Sequence, residues 1–442
     1  DVVELIARDR PTLLGRYSKE HFYANVGLLI FSLVSFYVDW STGQKYKRRW
    51  FQVLATLLFL TPTLLLLDFV VRSPEAVHYV RDGLAYHRPA NFKTTVRFVD
   101  RPEAARTYPN APDGYPPLDC TLQTDTRGYR NQTALESYDV VVLGDSFAEG
   151  SKVSNEQTWP ARLAALGGLT VYNLGMSGYA PINYLASLKR HGPSLNPRVV
   201  ICCLYEGNDF RSAKTDRKGS RPSLSKRMKA YFKQSRLLGG LDEWAVATFG
   251  PINRDGHVPG VEMLDWLPLA IPDGPGAKHY AFAPKQLRDM FESREAFALD
   301  KHWLNPRQQL DEMHRWCKEA GSQFIVLYAP TKAHVTLPMV AQRLPAEDVR
   351  SFLALRFKKT LPSPSELLVT LVERAGARES VVAEWCAREA IPLISTTEPL
   401  RQAAADGTQV YFTYDQHWTP PGHKVVAQTV HAYLVDQTLQ DD

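Results

Sequence analysis

The stretch Asp139–Gly150, DVVVLGDSFAEG, decides how the rest of the chain is read. Its first half, Asp139-Val-Val-Val-Leu143, is short, almost wholly apolar and rich in β-branched side chains. That composition suits a strand buried on both faces of a parallel sheet. Gly144-Asp145-Ser146 follows at once, and Gly150 closes the stretch. A glycine at a strand's carboxyl end permits a sharp turn and the close approach of a ligand. Open α/β sheets bind their ligands at those carboxyl ends, so Ser146 stands where a nucleophile would be useful. Gly, Asp and Ser are also ordinary turn residues, and only partners elsewhere in the chain make the motif more than a turn.

Downstream, helix-like and strand-like stretches alternate. The pattern predicts helices at 158–166, 181–191, 306–321 and 379–390, with Pro181 near one start and Gly321 closing another. Strands are predicted at 170–174, 198–205, 323–330 and 391–395, and a last helix runs from the N-cap Thr419 to about Val435. Strands spaced by helices imply a parallel, doubly wound sheet. Residues 211–305 break the rhythm and read as an insertion. Its first part, 211–236, holds ten Lys or Arg against one Asp. Such a run is by default a solvated face; its functional reading is an anion-binding surface for a glycan or lipid head group, with Lys226, Arg227 and Lys229 at its centre.

Ahead of this domain, a charged and balanced tail (1–20) leads into two apolar stretches, Phe22–Trp40 and Trp50–Val71. Each is about 20 residues long, enough to cross a bilayer core as a helix, and each carries Tyr or Trp near an end. They are expected to form a transmembrane hairpin over 21–72; the alternative is one span, with the first stretch lying in the interface. The connector carries Lys45, Lys47, Arg48 and Arg49 with no acid. A short basic loop favours the cytoplasm, which would place the tail and the large domain on the outer face of the membrane. Residues 73–135 read as an extended lead-in, and 136–442 as the main domain. Asn131-Gln-Thr133 is a glycosylation sequon by pattern only. The net charge of +5 is too small to imply nucleic acid. Five cysteines show no metal spacing and no C-x-x-C pair, and Cys202-Cys203 lie in an apolar run as small core hydrophobes.

Three later stretches end strands of the expected sheet. TVYNLGMSGYAP supplies Gly175 and Gly178, VICCLYEGNDF supplies Asn208 and Asp209, and YFTYDQHWTPPGH brings Asp415 and His417. Acyl transfer through serine needs a base for its proton, an acid to orient that base, and donors for the developing oxyanion. Ser146, His417 and Asp415, with the Gly178 N–H and the Asn208 amide, would fill these roles. Each also has a plainer reading: His417 as packing for the last helix, Asn208 and Gly178 as turn residues, Asp145 as a loop anchor. His423 lies near His417, but no third ligand accompanies them, and neither a metal nor a cofactor is expected.

In these four blocks, in this order, the chain resembles the SGNH (GDSL-type) hydrolases. Ser146 in GDS matches the family's nucleophile, Gly178 in N-x-G-x-S-G its second block, Asn208 in GND its third and His417 its last, with Asp415 as the acid. RGYRN, YAPTK and the DQHW ending resemble membrane-anchored periplasmic members. The D-x-H spacing departs from the commoner D-x-x-H, and a D-x-H-W ending occurs in relatives that modify exopolysaccharide. The resemblance implies a flavodoxin-like α/β/α sandwich on a five-stranded parallel sheet. It also implies a membrane-anchored serine esterase or O-deacetylase acting on acylated cell-envelope carbohydrate. An O-acetyltransferase uses the same chemistry, with a sugar hydroxyl in place of water. A non-catalytic accessory subunit of a larger membrane complex is the reading from another class.

Overall fold

The computed structural model describes residues 79–101, 112–131, 135, 137–210, 267–271, 278–354 and 361–438, and, before these, 12–13, 17–18, 37, 44 and 48–52. The expected spans at 22–40 and 50–71 and the basic run at 211–236, with Lys226, Arg227 and Lys229, fall almost wholly outside the described residues. No described helix is long and apolar enough to cross a membrane. The chain divides into two compact units, and the fold and site below belong to the one comprising Val77–Asp216, Leu264–Ala354 and Lys358–Asp442.

Its centre is a five-stranded sheet, with strands numbered here in chain order: β1 (Val140–Leu143), β2 (Val171–Asn173), β3 (Val199–Tyr205), β4 (Gln323–Ala329) and β5 (Leu393–Ser395). The spatial order is β2-β1-β3-β4-β5 and every neighbouring pair is parallel. This is the flavodoxin-like order, whose reversal of direction between β1 and β3 opens a crevice at the strands' carboxyl ends.

Strand periodicity assigns the two faces. Val141 and Leu143, Val200 and Cys202, and Phe324 and Val326 join one core with Tyr184 and Leu188 of helix 181–195, Leu310 and Met313 of helix 301–320, and Trp385 of helix 377–388. Val140, Val142, Ile201, Cys203, Ile325 and Leu327 are equally buried and point to the opposite face. There, helices 159–167, 420–438 and 397–405 pack in turn on one another. Each fully buried Val, Leu or Ile contributes about 1.5–3 kcal/mol, so a sheet covered on both sides needs no alternating polar residues. Cys202 and Cys203 are free, buried, and belong to opposite faces.

The helix ends follow local chemistry. Thr158 caps helix 159–167 by accepting the Ala161 N–H (3.4 Å), and Gly168 leaves it in the left-handed region. Thr419 Oγ1 accepts the Gly422 N–H (3.2 Å) at the start of the last helix. The helix expected from Pro306 begins earlier, at Lys301, because Asp300 caps it by accepting the His302 N–H (2.7 Å).

The lead-in carries paired strands, Val80–Asp82 with Ala85–His87 and Lys93–Phe98 with Leu118–Gln123. It is fastened to the main body by buried polar groups. Arg130 Nε donates to Asn155 Oδ1 (2.7 Å), and its guanidinium also reaches the carbonyls of Glu149, Gly150, Thr121 and Val153. Asn131 of the sequon is buried, donating to Asp125 (3.0 Å) and accepting the Asn173 N–H (2.7 Å), so its amide is committed to the fold.

Candidate active site

Ser146 opens a one-turn helix, Ser146–Glu149, directly after β1. Asp145 caps that turn, its Oδ1 accepting the Phe147 N–H at 2.9 Å. Gly144 must be glycine: a Cβ there would lie 2.6 Å from the Ala148 Cβ and 3.0 Å from the Cys203 Cβ. Asp145 is fully buried, and burial raises its carboxyl above the ordinary range, against the Phe147 N–H and Asn208, which favour the charge.

Asn208 follows β3. Its Nδ2 donates to Asp145 Oδ2 at 2.8 Å, which uses one of its two N–H bonds; the other has no acceptor among the described residues. Its Oδ1 is buried without a partner among the described residues. The neighbouring Asp209 is a structural anchor, accepting from the Tyr205 N–H (2.7 Å) and the Tyr184 hydroxyl (2.7 Å).

His417 and Asp415 sit on a loop closed by an isolated bridge between Tyr411 and Trp418. His417 Nε2 lies 2.7 Å from Ser146 Oγ, and His417 Nδ1 lies 2.5 Å from Asp415 Oδ1. The same Asp415 oxygen also accepts the His417 backbone N–H at 2.9 Å, which the short D-x-H spacing makes possible. Burial alone would pull the imidazole's pKa down; the Asp415 carboxylate outweighs it and holds His417 above its ordinary value. For Asp415, burial is likewise outweighed by His417, and its carboxyl stays well below the usual range. Phe147, next to the serine, packs against the His417 ring (centroids 5.0 Å) and edge-on to Trp418 (4.8 Å), so the two segments are wedged together.

The loop after β2 is tied to the serine's own helix. Glu149 Oε2 accepts the Ser177 N–H (2.9 Å) and hydroxyl, while Oε1 pairs with Arg88 Nε at 2.6 Å. Burial of Glu149 is outweighed by Arg88, which keeps its carboxyl below the ordinary range. Gly178, next along, has φ +82° and is exposed, and the Tyr86 hydroxyl stands 2.9 Å from where its Cβ would be. Neither the Ser146 nor the Gly178 N–H has an acceptor among the described residues.

The structure therefore joins Ser146, His417 and Asp415 in one hydrogen-bonded chain, ties Asn208 to Asp145, and couples Gly178 to the serine's helix through Ser177. His423 stands apart from the chain: its Nδ1 accepts the Trp159 N–H (3.3 Å), and burial keeps the ring neutral. Sequence reasoning missed Arg88, Asp100, Glu149 and Lys332, all buried or nearly so near these groups. Only the Lys of YAPTK had drawn notice, and as part of a resemblance.

Chemically, this is an arrangement for acyl transfer: a hydroxyl on a strand-to-helix turn, a base in contact with it, an acid behind the base, and unpaired donors alongside. No protein-family model matches the chain, and no curated protein matches it. Solved structures do. One is a member of the lipolytic protein G-D-S-L family from Veillonella parvula, 9% identical, covering 66% of this chain and 94% of its own, with a TM-score of 0.29. Another is a GDSL-like lipase from Bacteroides thetaiotaomicron, 12% identical, covering 70% and 92%, with a TM-score of 0.30. A third, the acetyl xylan esterase AlAXEase, is 10% identical and covers 66% and 98%, with a TM-score of 0.30. At such values the fold is better read from strand order, and the chemistry from the site itself.

Proposed function

We propose that this chain is a serine ester hydrolase of the SGNH type, removing O-acyl groups from cell-envelope carbohydrate. One observation carries the chemistry: Ser146 Oγ, His417 and Asp415 linked at 2.7 and 2.5 Å at the carboxyl end of β1. Ser146 attacks the acyl carbonyl as His417 Nε2 takes its proton. Asp415 holds the imidazole with its proton on Nδ1 and stabilises the imidazolium. The Ser146 and Gly178 N–H groups and the second Asn208 N–H receive the oxyanion. His417 then protonates the departing sugar oxygen as the ester C–O bond breaks; water, deprotonated by the same imidazole, attacks the acyl-enzyme, and the acid leaves as Ser146 regains its proton. The carbohydrate acceptor rests on the resemblance of DQHW to exopolysaccharide-modifying relatives. The membrane anchor and periplasmic location rest on the apolar stretches and the basic connector between them.

Labelling with a fluorophosphonate probe tests the reading. The wild type should label and turn over a small acyl ester, and Ser146→Ala should do neither while melting at nearly the same temperature. A wild type inert to the probe and to every small acyl ester would move the non-catalytic reading to first place.

A further inference from the structure

The segment 412–415 belongs to no helix or strand, yet it sets the direction of the Asp415 side chain. Within its own loop the Phe412 N–H donates to the His417 carbonyl at 3.1 Å, Gln409 Nε2 donates to Thr413 Oγ1 at 3.0 Å, and Asp415 Oδ1 accepts the His417 N–H at 2.9 Å. Buried backbone groups outside regular structure need partners from elsewhere. Here one comes from strand 278–282, whose Ala281 N–H donates to the Thr413 carbonyl at 2.7 Å, and the rest come from two buried charges. Asp100, on the lead-in and 3% exposed, accepts the N–H groups of Thr413 (2.6 Å), Tyr414 (3.1 Å) and Asp415 (3.0 Å). Its Oδ2 also accepts the Tyr115 N–H at 3.0 Å. Lys332, 1% exposed at the start of helix 332–340, donates from Nζ to the carbonyls of Phe412 (3.0 Å), Thr413 (2.7 Å) and Asp415 (3.0 Å). All three ammonium hydrogens are used.

We propose that Asp100 and Lys332 are positioning residues that fix Asp415 against His417, an inference that rests on the acyl-transfer reading of that pair. Asp415 is held on both sides of its Cα, its N–H by a carboxylate and its C=O by an ammonium, so its φ and ψ are both fixed. The direction of its Cα–Cβ bond follows. Bonds to charged partners are stronger than neutral ones, which suits a restraint that must hold a side chain to a fraction of an ångström. Neutral partners would satisfy the same backbone groups with less stiffness. Burial lowers the Lys332 pKa to about 8, against the Asp100 and Asp415 carboxylates that favour its charge, and burial raises that of Asp100.

The test uses Asp100→Asn and Lys332→Met. The first turns an NH₂ toward one pair of amides; the second keeps the apolar stem and removes the donors. Steady-state turnover of a small neutral acyl ester is measured per site titrated with fluorophosphonate, across pH 5–9. Each variant should lose about 10- to 100-fold in kcat per titrated site, with KM within about twofold, as misplacement by about 1 Å does. The acid limb of kcat/KM should move to lower pH. His417 faces the charges of Asp415, Asp145 and Lys152, and of these the link to Asp415 is the one the variants loosen. Lower melting temperature with unchanged kcat per site and an unchanged limb would make both residues structural only and overturn the proposal. Should Lys332→Met fail to fold, Asp100→Asn carries the same test. A wild type that neither labels nor turns over ester would defeat the acyl-transfer reading itself. The low-field proton resonance of His417 Nδ1 would then still decide whether the clamp holds the pair: loss of that signal in Asp100→Asn supports it, and persistence refutes it.

Discussion

Asp415→Asn removes a charge from behind His417 while leaving the shape of the site almost unchanged. Two donors converge on one carboxylate oxygen, the ring Nδ1 at 2.5 Å and the His417 backbone N–H at 2.9 Å. The backbone donor cannot change its polarity, so the asparagine should present its carbonyl oxygen there and not its NH₂. A flipped amide would leave that N–H without its acceptor, at a cost of about 1–3 kcal/mol. The imidazole should therefore keep its working tautomer and lose only charge assistance. A charged hydrogen bond contributes about 1.5–3 kcal/mol against about 0.5–1.5 for a neutral one, a difference of about 1–1.5 kcal/mol. That converts to about a tenfold loss in kcat. A misplaced tautomer instead costs about 10⁴-fold. Because the carboxylate holds the pKa of His417 up against burial, its removal should also move the acid limb of kcat/KM to lower pH. The assay is ester turnover per probe-titrated site from pH 5 to 9, with the melting temperature as control. A loss near 10⁴ would show that the backbone N–H does not select the amide's orientation. Wild-type turnover with an unmoved limb would mean that Asp415 is not the acid.

Glu149→Gln should destabilise the protein by about 3 kcal/mol in urea unfolding, because it leaves the largely buried Arg88 charge unpaired. Glu149 titrates below its ordinary value in the folded state, so its contribution is present above the unfolded pKa of about 4.3 and is lost as pH falls further. The gap between variant and wild type should therefore close below about pH 4; a gap under 1 kcal/mol at neutral pH would refute the pairing. Gly175→Ala would place a Cβ 2.6 Å from the Glu149 nitrogen and from the Ala148 Cβ. It should cost about 1–3 kcal/mol and slow fluorophosphonate labelling by displacing the serine's helix; unaltered stability and labelling would show that the loop yields instead.

The five sheet strands were legible in the sequence because burial on both faces demands unbroken apolar, β-branched runs such as VVICCLY. The helix ends at Gly321 and Thr419 were legible for a similar local reason, whereas Thr158, expected inside its helix, is the residue that caps it. Helix 332–340 was not, since it is buried almost all round, contains Pro338, and offers no amphipathic stripe. Helix 364–373 did carry a readable start, the Ser363-Pro364 pair with Glu366 reaching back to the Ser363 N–H at 3.2 Å. Ser146, Gly178, Asn208 and His417 were found through short blocks whose order can be read along the chain. Asp100 and Lys332 could not be found that way. Each is an ordinary charged residue whose role exists only once a distant loop has been brought to it.

That distance bears on how the protein is made. Asp100 and the amide of Thr413 are 313 positions apart, so when the lead-in leaves the ribosome its carboxylate has only the nearby Tyr115 N–H to hold. The sheet strands and most helices can assemble in the meantime, but the acid loop cannot lock until the segment 412–417 has itself been made. A nascent or C-terminally clipped chain can thus own a folded serine turn and still lack a working base. Nor can the domain be trimmed at its first sheet strand: a fragment starting at residue 136 would discard Asp100, Arg88 and Arg130 together. The polypeptide ahead of the sheet is part of the site, and exchanging it for another leader should cost activity.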